Sequence, residues 1–523
     1  MLAKPPPGGR SGRRGGKHKA LVESNALLHP PSTKRPAPAP SRRPTCKKSR
    51  AVAKPLSALN HVLARTAFVT SRLADFADKD TLVRLIGHPP TAWPLVALKE
   101  LVDNALDACE AAGVAPKIDV TVTENFISVA DNGGGIPASR VKQILNYSNK
   151  TSSNAAYRSP TRGQQGNAFQ TLIAMGHALT GKPSVTIIES RGVIHRITFS
   201  VDPISRAPSL DHQRADGGDT QGTKVTLYMP VSAAALPDLH NAVIDYGWVN
   251  PHATVSFRTA GSDYDRSFTH EATDPDWTKW KPTDPTSPHW YDVGSMKTLM
   301  AAEINKARHS NDAQKTVAEF VSDFRGLSST IKRRDICEAV SASRESLDAF
   351  FARGDDAIRR LLDQMKATSK PVRARDLGVI GEDHVLDMIA SESGQYKRAE
   401  IDDCGVPYLI EAGFGHRPDL EDRAFGTGLN WSLSIGGNPF RDLYWGRSLG
   451  SVLESQHAGP EEPVSFFLHL ASPCLKFRDT GKTSVSLPGK VIDAIIAVVK
   501  QVTKAWHRQR EAEKRNADAA RTP

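Results

Sequence analysis

The first residues whose types are suited to chemistry lie in the segment Glu100-Leu101-Val102-Asp103-Asn104. Around it, apolar residues recur at three- to four-residue steps, which predicts an amphipathic helix over residues 92–113 that ends at a glycine. Glu100 and Asn104 then lie one turn apart on the same face. A carboxylate there can polarise a water molecule while the amide oxygen holds a metal ion. The same spacing occurs on solvated helix faces, so the pair alone does not define a site.

A second segment directly follows a predicted strand, starts 31 residues beyond Glu100 and reads Asp131-Asn132-Gly133-Gly134-Gly135-Ile136. Glycines such as Gly133 and Gly135 allow the backbone to approach a ligand closely. A buried aspartate can accept a hydrogen bond from an exocyclic amine such as that of adenine. The simpler interpretation is a glycine turn with an Asn-Gly hairpin signal, which explains the glycines but not the neighbouring pattern.

A third segment leads into a predicted apolar helix over residues 171–179 and reads Arg162-Gly163-Gln164-Gln165-Gly166-Asn167-Ala168-Phe169. Backbone amides at such a loop and helix start suit phosphate groups. Further on, Gly222-Thr223-Lys224 opens a predicted strand, where the Thr223 hydroxyl could support Asp131. Each of these two signals is unspecific by itself, and only their order along the chain makes them informative.

The elements that position these residues alternate between helix and strand over residues 56–232. Strands are predicted at residues 118–122, 127–130, 184–189, 194–200 and 224–229. One layer of mixed sheet with helices packed on it satisfies this pattern, so we expect an α+β domain.

The rest of the chain divides by pattern as well. Residues 233–296 have Trp-, Pro- and Asp-rich turns and predict a connector, and residues 297–370 are mainly helical. Residues 371–508 form a further predicted domain, before a charged tail over residues 509–523. Its predicted strands cover residues 406–411, 429–435 and 464–471, with a closing helix from about residue 487.

Composition limits the class of protein. The chain has 523 residues, of which 39% are apolar and 24% charged, and it holds no run of about 18 apolar residues. The first residues are rich in Pro and basic side chains where a secretory signal would be apolar, so we expect an intracellular protein without a membrane span. The cysteines lie far apart without a C-x-x-C pair, which indicates neither a zinc site nor a disulfide framework.

Positive charge is concentrated at the N-terminus. Residues 1–54 hold 14 Lys or Arg and the single Glu23, a net charge of +13, so the rest of the chain carries −2 of the total +11. Residues 1–55 therefore form a predicted basic, disordered tail whose charge suits a nucleic-acid backbone. A merely solubilising tail is the alternative.

In their order, the four glycine- and acid-containing segments resemble the ATP-binding fold shared by gyrase B, the large heat-shock chaperone, sensor histidine kinases and MutL, the GHKL ATPases. The closer resemblance is to the B-type subunit of topoisomerase VI. That family's R-G-Q-Q-G loop matches residues 162–166, and its E-L-V-D-N-x-L-D-A helix matches residues 100–108. Residues 371–381, residues 468–472 and Gly481-Lys482 resemble the entry to the family's transducer domain and its lysine-bearing stretch.

The resemblance implies a fold and a set of roles. The fold would combine a GHKL ATPase sandwich, a helix-two-turns-helix-like insert and a transducer-like α/β domain. Glu100 would be the general base, Asn104 the Mg²⁺ ligand and Asp131 the adenine reader, with Lys482 reaching the γ-phosphate of ATP. The remaining implied nucleotide-binding positions are Gly133, Gly135, Asn149, Lys150 and Thr223, together with a lid formed by Gly163, Gln164, Gln165, Gly166, Asn167, Ala168, Phe169 and Gln170.

Two positions leave alternatives open. Lys482 lies in a polar stretch and is otherwise a surface lysine. Ala168 stands where the family usually has a third lid glycine, and alanine is strained there if the position needs a positive φ. Slow turnover or altered lid closure would follow, without loss of nucleotide binding.

The resemblance implies an ATP-operated homodimeric clamp that drives DNA strand passage. This chain shows no tyrosine-nucleophile or acidic metal-binding segment for cleavage, so cutting DNA would require a separate A-type subunit. The alternative is a stand-alone ATP-dependent clamp or remodeller that acts on DNA or protein without cleavage. A sensor kinase is disfavoured because no phospho-acceptor histidine helix precedes Glu100. A non-catalytic binding module would be favoured if Glu100→Ala left every activity intact.

Overall fold

Helices α1 (Lys79–Ile86) and α2 (Trp93–Ala112) open the described part of the chain. The computed structural model describes residues 72–147, 156–162, 168–205, 207–218, 221–261, 264–310, 312–444 and 446–521. Helix α2 has a proline in its first turn and ends at Gly113, whose φ of +72° suits glycine at a helix C-terminus. Lys99, Asp103 and Glu110 of α2 are buried along with its apolar residues. The helix is therefore enclosed on more than its apolar face.

Within the described residues, the first sheet has eight strands in the order β5-β4-β3-β6-β2-β1-β7-β8. Only the β1–β7 pair is parallel, and the other neighbours in this sheet are antiparallel. The strands are β1 (Lys117–Val122), β2 (Phe126–Asp131), β3 (Ser184–Ser190), β4 (Val193–Val201), β5 (Pro208–Asp216), β6 (Thr223–Tyr228), β7 (Thr254–Thr259) and β8 (Ser267–His270).

Helices α3 (Ala138–Ile144), α4 (Ala168–Thr180) and α5 (Leu236–Val249) complete this layer. Helix α2 packs on β2, α4 on β3 and α5 on β7. The alternating burial of β1 and β3 shows a sheet with one covered face. The predicted α+β fold class is confirmed.

The first sheet extends beyond the predicted boundary at residue 232. Residues 233–296, for which the sequence predicts only a connector, contribute strands β7 and β8 to this sheet and helix α5 to the layer packed on it. Strand β7 pairs in parallel with β1, so the chain must return along α5 before it enters the sheet. Strand β8 has only four residues and none of them is fully buried, whereas β7 has an alternating pattern that the sequence prediction overlooked.

A helical layer follows, with a core that includes Trp290, Phe320, Phe350 and Leu361, each at most 1% exposed. Amphipathic α10 turns its apolar residues toward α6 and α8. The helices are α6 (Val293–Ser310), α7 (Val317–Ser322), α8 (Thr330–Ala339), α9 (Leu347–Phe351) and α10 (Asp355–Thr368).

A second sheet has the strand order β11-β12-β10-β9. Its central strands are buried except at the two ends of the longer one, because helices cover both faces. Its strands are β9 (Gln395–Asp403), β10 (Val406–His416), β11 (Ala424–Leu429) and β12 (Val464–Ala471), followed by the small hairpin β13 (Lys476–Phe477) and β14 (Val485–Ser486). The helices of this part are α11 (Glu382–Ile389), α12 (Leu449–Glu454), α13 (Gly489–Val502) and α14 (Lys504–Arg521).

The strand predicted at residues 429–435 is wrong in position, since β11 ends at Leu429. Asn430 and Trp431 have φ of +49° and +59°, which breaks the extended backbone. Strand β11 contains Gly426 and Gly428, which sequence propensity disfavours. A Cβ on Gly428 would lie 2.5 Å from Val249 Cγ1, so the close approach of α5 requires glycine there.

Several predicted features fall outside the described residues: the basic tail, Asn149, Lys150 and the lid residues 163–167. The predicted charged tail over residues 509–523 instead belongs to α14 as far as Arg521. None of the described helices combines the length and the apolar character that crossing a membrane demands.

Candidate functional site

Glu100 and Asn104 lie on consecutive turns of α2, with Glu100 partly buried and Asn104 exposed. Lys99 Nζ lies 3.7 Å from Glu100 Oε1 and 2.6 Å from Asp103 Oδ2. Burial lowers the pKa of Lys99, but the Asp103 and Glu100 carboxylates outweigh it and raise that pKa above its ordinary value. Lys99 is therefore a fixed positive charge beside the predicted general base.

Asp131 ends β2 and faces Thr223 of β6 in the strand register. Its Oδ1 accepts hydrogen bonds from the backbone N–H groups of Gly133, at 2.8 Å, and Thr223, at 3.3 Å. Among the described residues, no donor contacts its Oδ2. Burial raises the pKa of Asp131, and the two backbone donors oppose that rise. One carboxylate oxygen is thus held by the fold, and the other suits the exocyclic amine of adenine.

The Asp131 loop crosses directly over α2. A Cβ on Gly133 would lie 2.9 Å from the backbone carbon of Ala108 and 3.0 Å from the nitrogen of Cys109. Gly135 has a φ of +73°, which disfavours a side chain for a different reason. The glycines therefore bring the Asp131 loop against α2 one turn beyond Asn104.

The described end of the predicted lid, residues 168–170, lies in the first turn of α4, where backbone N–H groups have no carbonyl partner within the helix. Gln170 Nε2 donates to the carbonyls of Ile144 and Asn146 at 3.0 and 3.1 Å. The Gln170 side-chain nitrogen is therefore used within the fold, and its backbone and that of Phe169 remain the groups suited to a phosphate. Ala168 begins α4, and its proposed strain in the lid stays a prediction.

Lys482 lies in the turn between β13 and β14, with a φ of +56°. It lines one cavity together with Lys99 and Glu100. Burial and the positive charge of Lys99 lower the pKa of Lys482, while Glu100 and Asp103 act in the opposite direction. Two lysines facing one partly enclosed cavity favour an anionic ligand.

Backbone contacts hold the Lys482 turn against the start of the fold. His88 Nε2 lies 2.8 Å from the Gly481 carbonyl oxygen. Gly87 caps α1 with a φ of +76°, and a Cβ there would lie 2.2 Å from Gly481 N. The loop after α1 therefore meets the Lys482 turn backbone to backbone at Gly87, and the His88 side chain adds a polar contact.

A buried charge cluster lies beside the site. Glu110 accepts hydrogen bonds from Arg162, at 2.8 and 2.9 Å, and contacts Lys279 Nζ at 2.7 Å. Burial opposes ionisation of Glu110, but Arg162 and Lys279 hold its pKa well below the usual range. Arg162 Nε also donates to the Trp431 carbonyl at 3.0 Å. Arg162, which directly precedes the predicted lid, thus joins α2 to the segment after β11.

Asp103 also joins α2 to the segment after β11. Its carboxylate accepts hydrogen bonds from Tyr246 Oη at 2.8 Å and Ser432 Oγ at 2.7 Å. Sequence reasoning missed Asp103 and Glu110 as buried anchors, because the helical pattern placed Asp103 on the polar face of α2. No local spacing signal marks partners so distant in the chain.

The donor chemistry fits a magnesium nucleotide. Asn104 and Glu100 supply the oxygens that Mg²⁺ and its waters prefer, Lys482 and Lys99 supply positive charge, and Asp131 supplies an acceptor. These side chains come from elements that are distant in sequence. The described part of the predicted site therefore spans α2, the β2 and β6 ends and the Lys482 turn.

The sequence of this chain is similar to that of known ATPases. Residues 93–233 match the family model described as histidine kinase-, DNA gyrase B- and HSP90-like ATPase. The B-type subunit of type 2 DNA topoisomerase 6 from Natronomonas pharaonis is 29% identical over 241 residues, which cover 44% of this chain and 29% of that protein. The corresponding protein from Archaeoglobus fulgidus is 24% identical over 464 residues, or 82% of this chain and 72% of that protein.

The alignments with the relatives from Natronomonas pharaonis and Halobacterium salinarum span less than a third of those proteins. Among solved structures, the ATPase region of Saccharomyces cerevisiae topoisomerase II aligns at a TM-score of 0.38 and 11% identity, over 80% of this chain and 85% of that one. The resemblance to the B-type subunit of topoisomerase VI is confirmed, and residues 93–233 are similar to the histidine kinase-, DNA gyrase B- and HSP90-like ATPases.

Proposed function

We propose that this chain binds and hydrolyses ATP and resembles in its role the B-type subunit of topoisomerase VI. In this proposal, two copies dimerise on ATP and gate the passage of DNA strands, with a separate A-type subunit making the cut. The observation that carries it is the location of Lys482 in one cavity with Glu100. Lys482, which lies outside the sequence matched to the ATPase family model, thus lines the same cavity as the residue suited to activate water.

Different residues of this chain have different roles in hydrolysis. Glu100 orients and deprotonates the attacking water, and Asp131 holds the adenine through its Oδ2. Lys482 stabilises the negative charge of the transferring phosphate, which is where catalysis of phosphoryl transfer mainly lies. When bound, Mg²⁺ neutralises phosphate charge, and Asn104 is the residue that would hold it. Lys99 remains paired with Asp103 on α2. Its positive charge adds to the positive potential of the site while the side chain keeps this ion pair.

Communication with the second sheet would run through the buried contacts of α2. Ser432 reaches Asp103, which is adjacent to Asn104 in the chain. Arg162 reaches the Trp431 carbonyl and directly precedes the predicted lid. Both partners lie in the turn that follows β11. A nucleotide-dependent movement of α2 or the lid would therefore act on this one turn, which adjoins the second sheet.

DNA and the A-type subunit enter this proposal through the relatives' name and the basic N-terminal tail. The alternative is an ATP-dependent clamp or remodeller that acts on DNA or protein without cleavage. Co-purification of an A-like subunit, together with ATP-dependent relaxation of supercoiled DNA by the pair, favours strand passage. A protein that hydrolyses ATP and dimerises but has no such partner favours the alternative.

The first test compares ATP hydrolysis by the purified chain with that of Glu100→Ala, with and without duplex DNA. We expect Glu100→Ala to lose about 10²-fold or more of the rate, because a positioned general base contributes at least that much. Glu124→Ala, in an exposed turn, is the matched control and should hydrolyse ATP normally. Unchanged hydrolysis in Glu100→Ala would exclude the proposed base.

The second readout is the oligomeric state with a non-hydrolysable ATP analogue, measured by light scattering. We expect dimers in the presence of the analogue and monomers in its absence. Glu100→Ala should still dimerise, since it keeps the groups proposed to bind nucleotide. A chain that hydrolyses ATP but remains monomeric with the analogue would exclude the clamp and leave the ATPase assignment in place.

A further inference from the structure

A cluster of two histidines and a glutamate lies in the second sheet's domain, among residues that the nucleotide site does not use. His457 follows the end of α12, and His507 and Glu511 lie four residues apart on α14. Each of the three offers a ligand atom within 4.8 Å of the other two. The i, i+4 spacing places His507 and Glu511 on one helix face.

The contacts within the cluster are specific. His457 Nε2 lies 2.5 Å from Glu511 Oε1, and the rings of His457 and His507 stack at 5.2 Å with 19° between their planes. His507 Nδ1 is buried and has no hydrogen-bond partner in the described part of the chain. A simple ion pair between His457 and Glu511 would not require His507, and it leaves this buried nitrogen unexplained.

The backbone also holds His457 in place. Its φ is +56°, and its carbonyl accepts a hydrogen bond from Trp506 Nε1 at 2.7 Å. Trp506 immediately precedes His507 on α14, so one hydrogen bond fixes the two histidines relative to each other. The cluster is partly exposed, with the His457 side chain 30% and the Glu511 side chain 42% accessible, so an ion can enter from solvent.

We propose that His457, His507 and Glu511 bind a divalent transition-metal ion of the Zn²⁺ type. Two imidazoles and one carboxylate form a ligand set that such ions accept, with water in the remaining position. Zinc bonds of about 2.0 to 2.2 Å place tetrahedral ligands roughly 3.3 Å apart, so small side-chain rotations bring these three atoms to coordination distance. The bound ion would fasten α14 to the end of α12. This site is independent of the proposed ATPase activity.

The test titrates Co²⁺ into the full-length, chelator-stripped chain and records its visible d–d absorption. Excess Mg²⁺ is present throughout so that oxygen-only sites are occupied. We expect one equivalent of bound Co²⁺, displaced by Zn²⁺ and absent from both His457→Ala and His507→Ala. Glu511→Gln, which keeps the side-chain volume, should bind on the order of 10-fold more weakly or worse.

His309→Ala is the matched control, because His309 is an exposed histidine on another helix, α6. It should bind Co²⁺ like the unaltered chain, and each variant's fold is checked by circular dichroism. As a second readout, Zn²⁺ should raise the melting temperature of the unaltered chain and of His309→Ala but not of His507→Ala. Retention of the Co²⁺ equivalent by either cluster histidine variant, its loss from His309→Ala, or its absence from the unaltered chain would overturn the proposal.

Discussion

Ser432 Oγ donates a hydrogen bond to Asp103 Oδ2 at 2.7 Å, across 329 positions of sequence. Both residues are buried, at 4% and 3% exposure, so water cannot replace the bond. The contact fixes the turn after β11 to the helix that carries Glu100 and Asn104. It is a direct polar link between the second sheet and the candidate nucleotide site.

We expect Ser432→Ala to lower the free energy of unfolding by about 1.5 to 3 kcal/mol, the range for a hydrogen bond to a charged group. Urea unfolding measures this change. Ser200→Ala removes a hydroxyl from an exposed serine pair and should change stability by less than about 0.5 kcal/mol. Equal stability of the two variants would mean that the Asp103 contact contributes nothing.

Replacing Lys482 tests the electrostatic interpretation of the shared cavity. We expect Lys482→Gln to reduce the rate of ATP hydrolysis by about 10²-fold, as the loss of a charge-stabilising donor does elsewhere, with a smaller effect on nucleotide affinity. Lys476→Gln, an exposed lysine in the same hairpin, should leave both unchanged. If Lys476→Gln were as slow as Lys482→Gln, the hairpin would matter only as a fold element.

Gly87→Ala should destabilise the protein and also slow ATP hydrolysis. Two costs combine: the left-handed backbone costs about 1 to 2 kcal/mol for alanine, and the contact with Gly481 adds overpacking of about 1 to 3 kcal/mol. Gly181→Ala is the control that separates the backbone cost from the overpacking cost. Gly181, at the end of α4, also has a positive φ, of +68°, but no atom lies within 4 Å of a Cβ built there. We expect Gly181→Ala to show only the first cost and normal hydrolysis. Thermal unfolding and an ATPase assay distinguish the two variants.

Asp245 on α5 predicts a pH dependence of stability. Burial raises its pKa from 3.8 to about 7. The folded state therefore holds the Asp245 proton more tightly than the unfolded state. This stabilisation is fully present below pH 3.8 and is lost as pH rises through about 7.

We expect Asp245→Asn to flatten the pH profile of unfolding free energy over that interval and to stabilise the protein relative to the unaltered chain above it. Asp238→Asn, at an exposed position on the same helix, should keep the original slope. Urea unfolding at several pH values measures both. Parallel profiles for all three proteins would show that Asp245 is solvated.

Strong local patterns were predictable from the sequence. Helix α2 was expected over residues 92–113 and spans Trp93–Ala112, and the predicted strands at residues 118–122, 184–189 and 224–229 correspond to β1, β3 and β6. Each of these elements has one buried face, so its apolar residues recur with the period of the helix or strand. This periodicity can be recognised from the local sequence alone. Strand β5 was missed because it is a polar edge strand with no fully buried residue.

Other features depend on packing that no local pattern reports. Gly428 is a residue type typical of turns, yet α5 lies so close that β11 needs a glycine at that position. Asp103 has the pattern of a solvated helix residue until Ser432 and Tyr246 are placed against it. For the site, the helix and glycine motifs identified Glu100, Asn104 and Asp131, and the family resemblance identified Lys482. The catalytic and binding roles of these residues remain predictions. The supporting charges of Lys99 and Glu110 required the three-dimensional structure.

The glycines of β11 have a mechanical consequence. Because Gly428 has no side chain, the β11 backbone packs directly against the Val249 side chain of α5. A larger residue at position 428 would therefore have to push β11 and α5 apart, so the spacing between the second sheet and α5 is set at this point by a backbone atom.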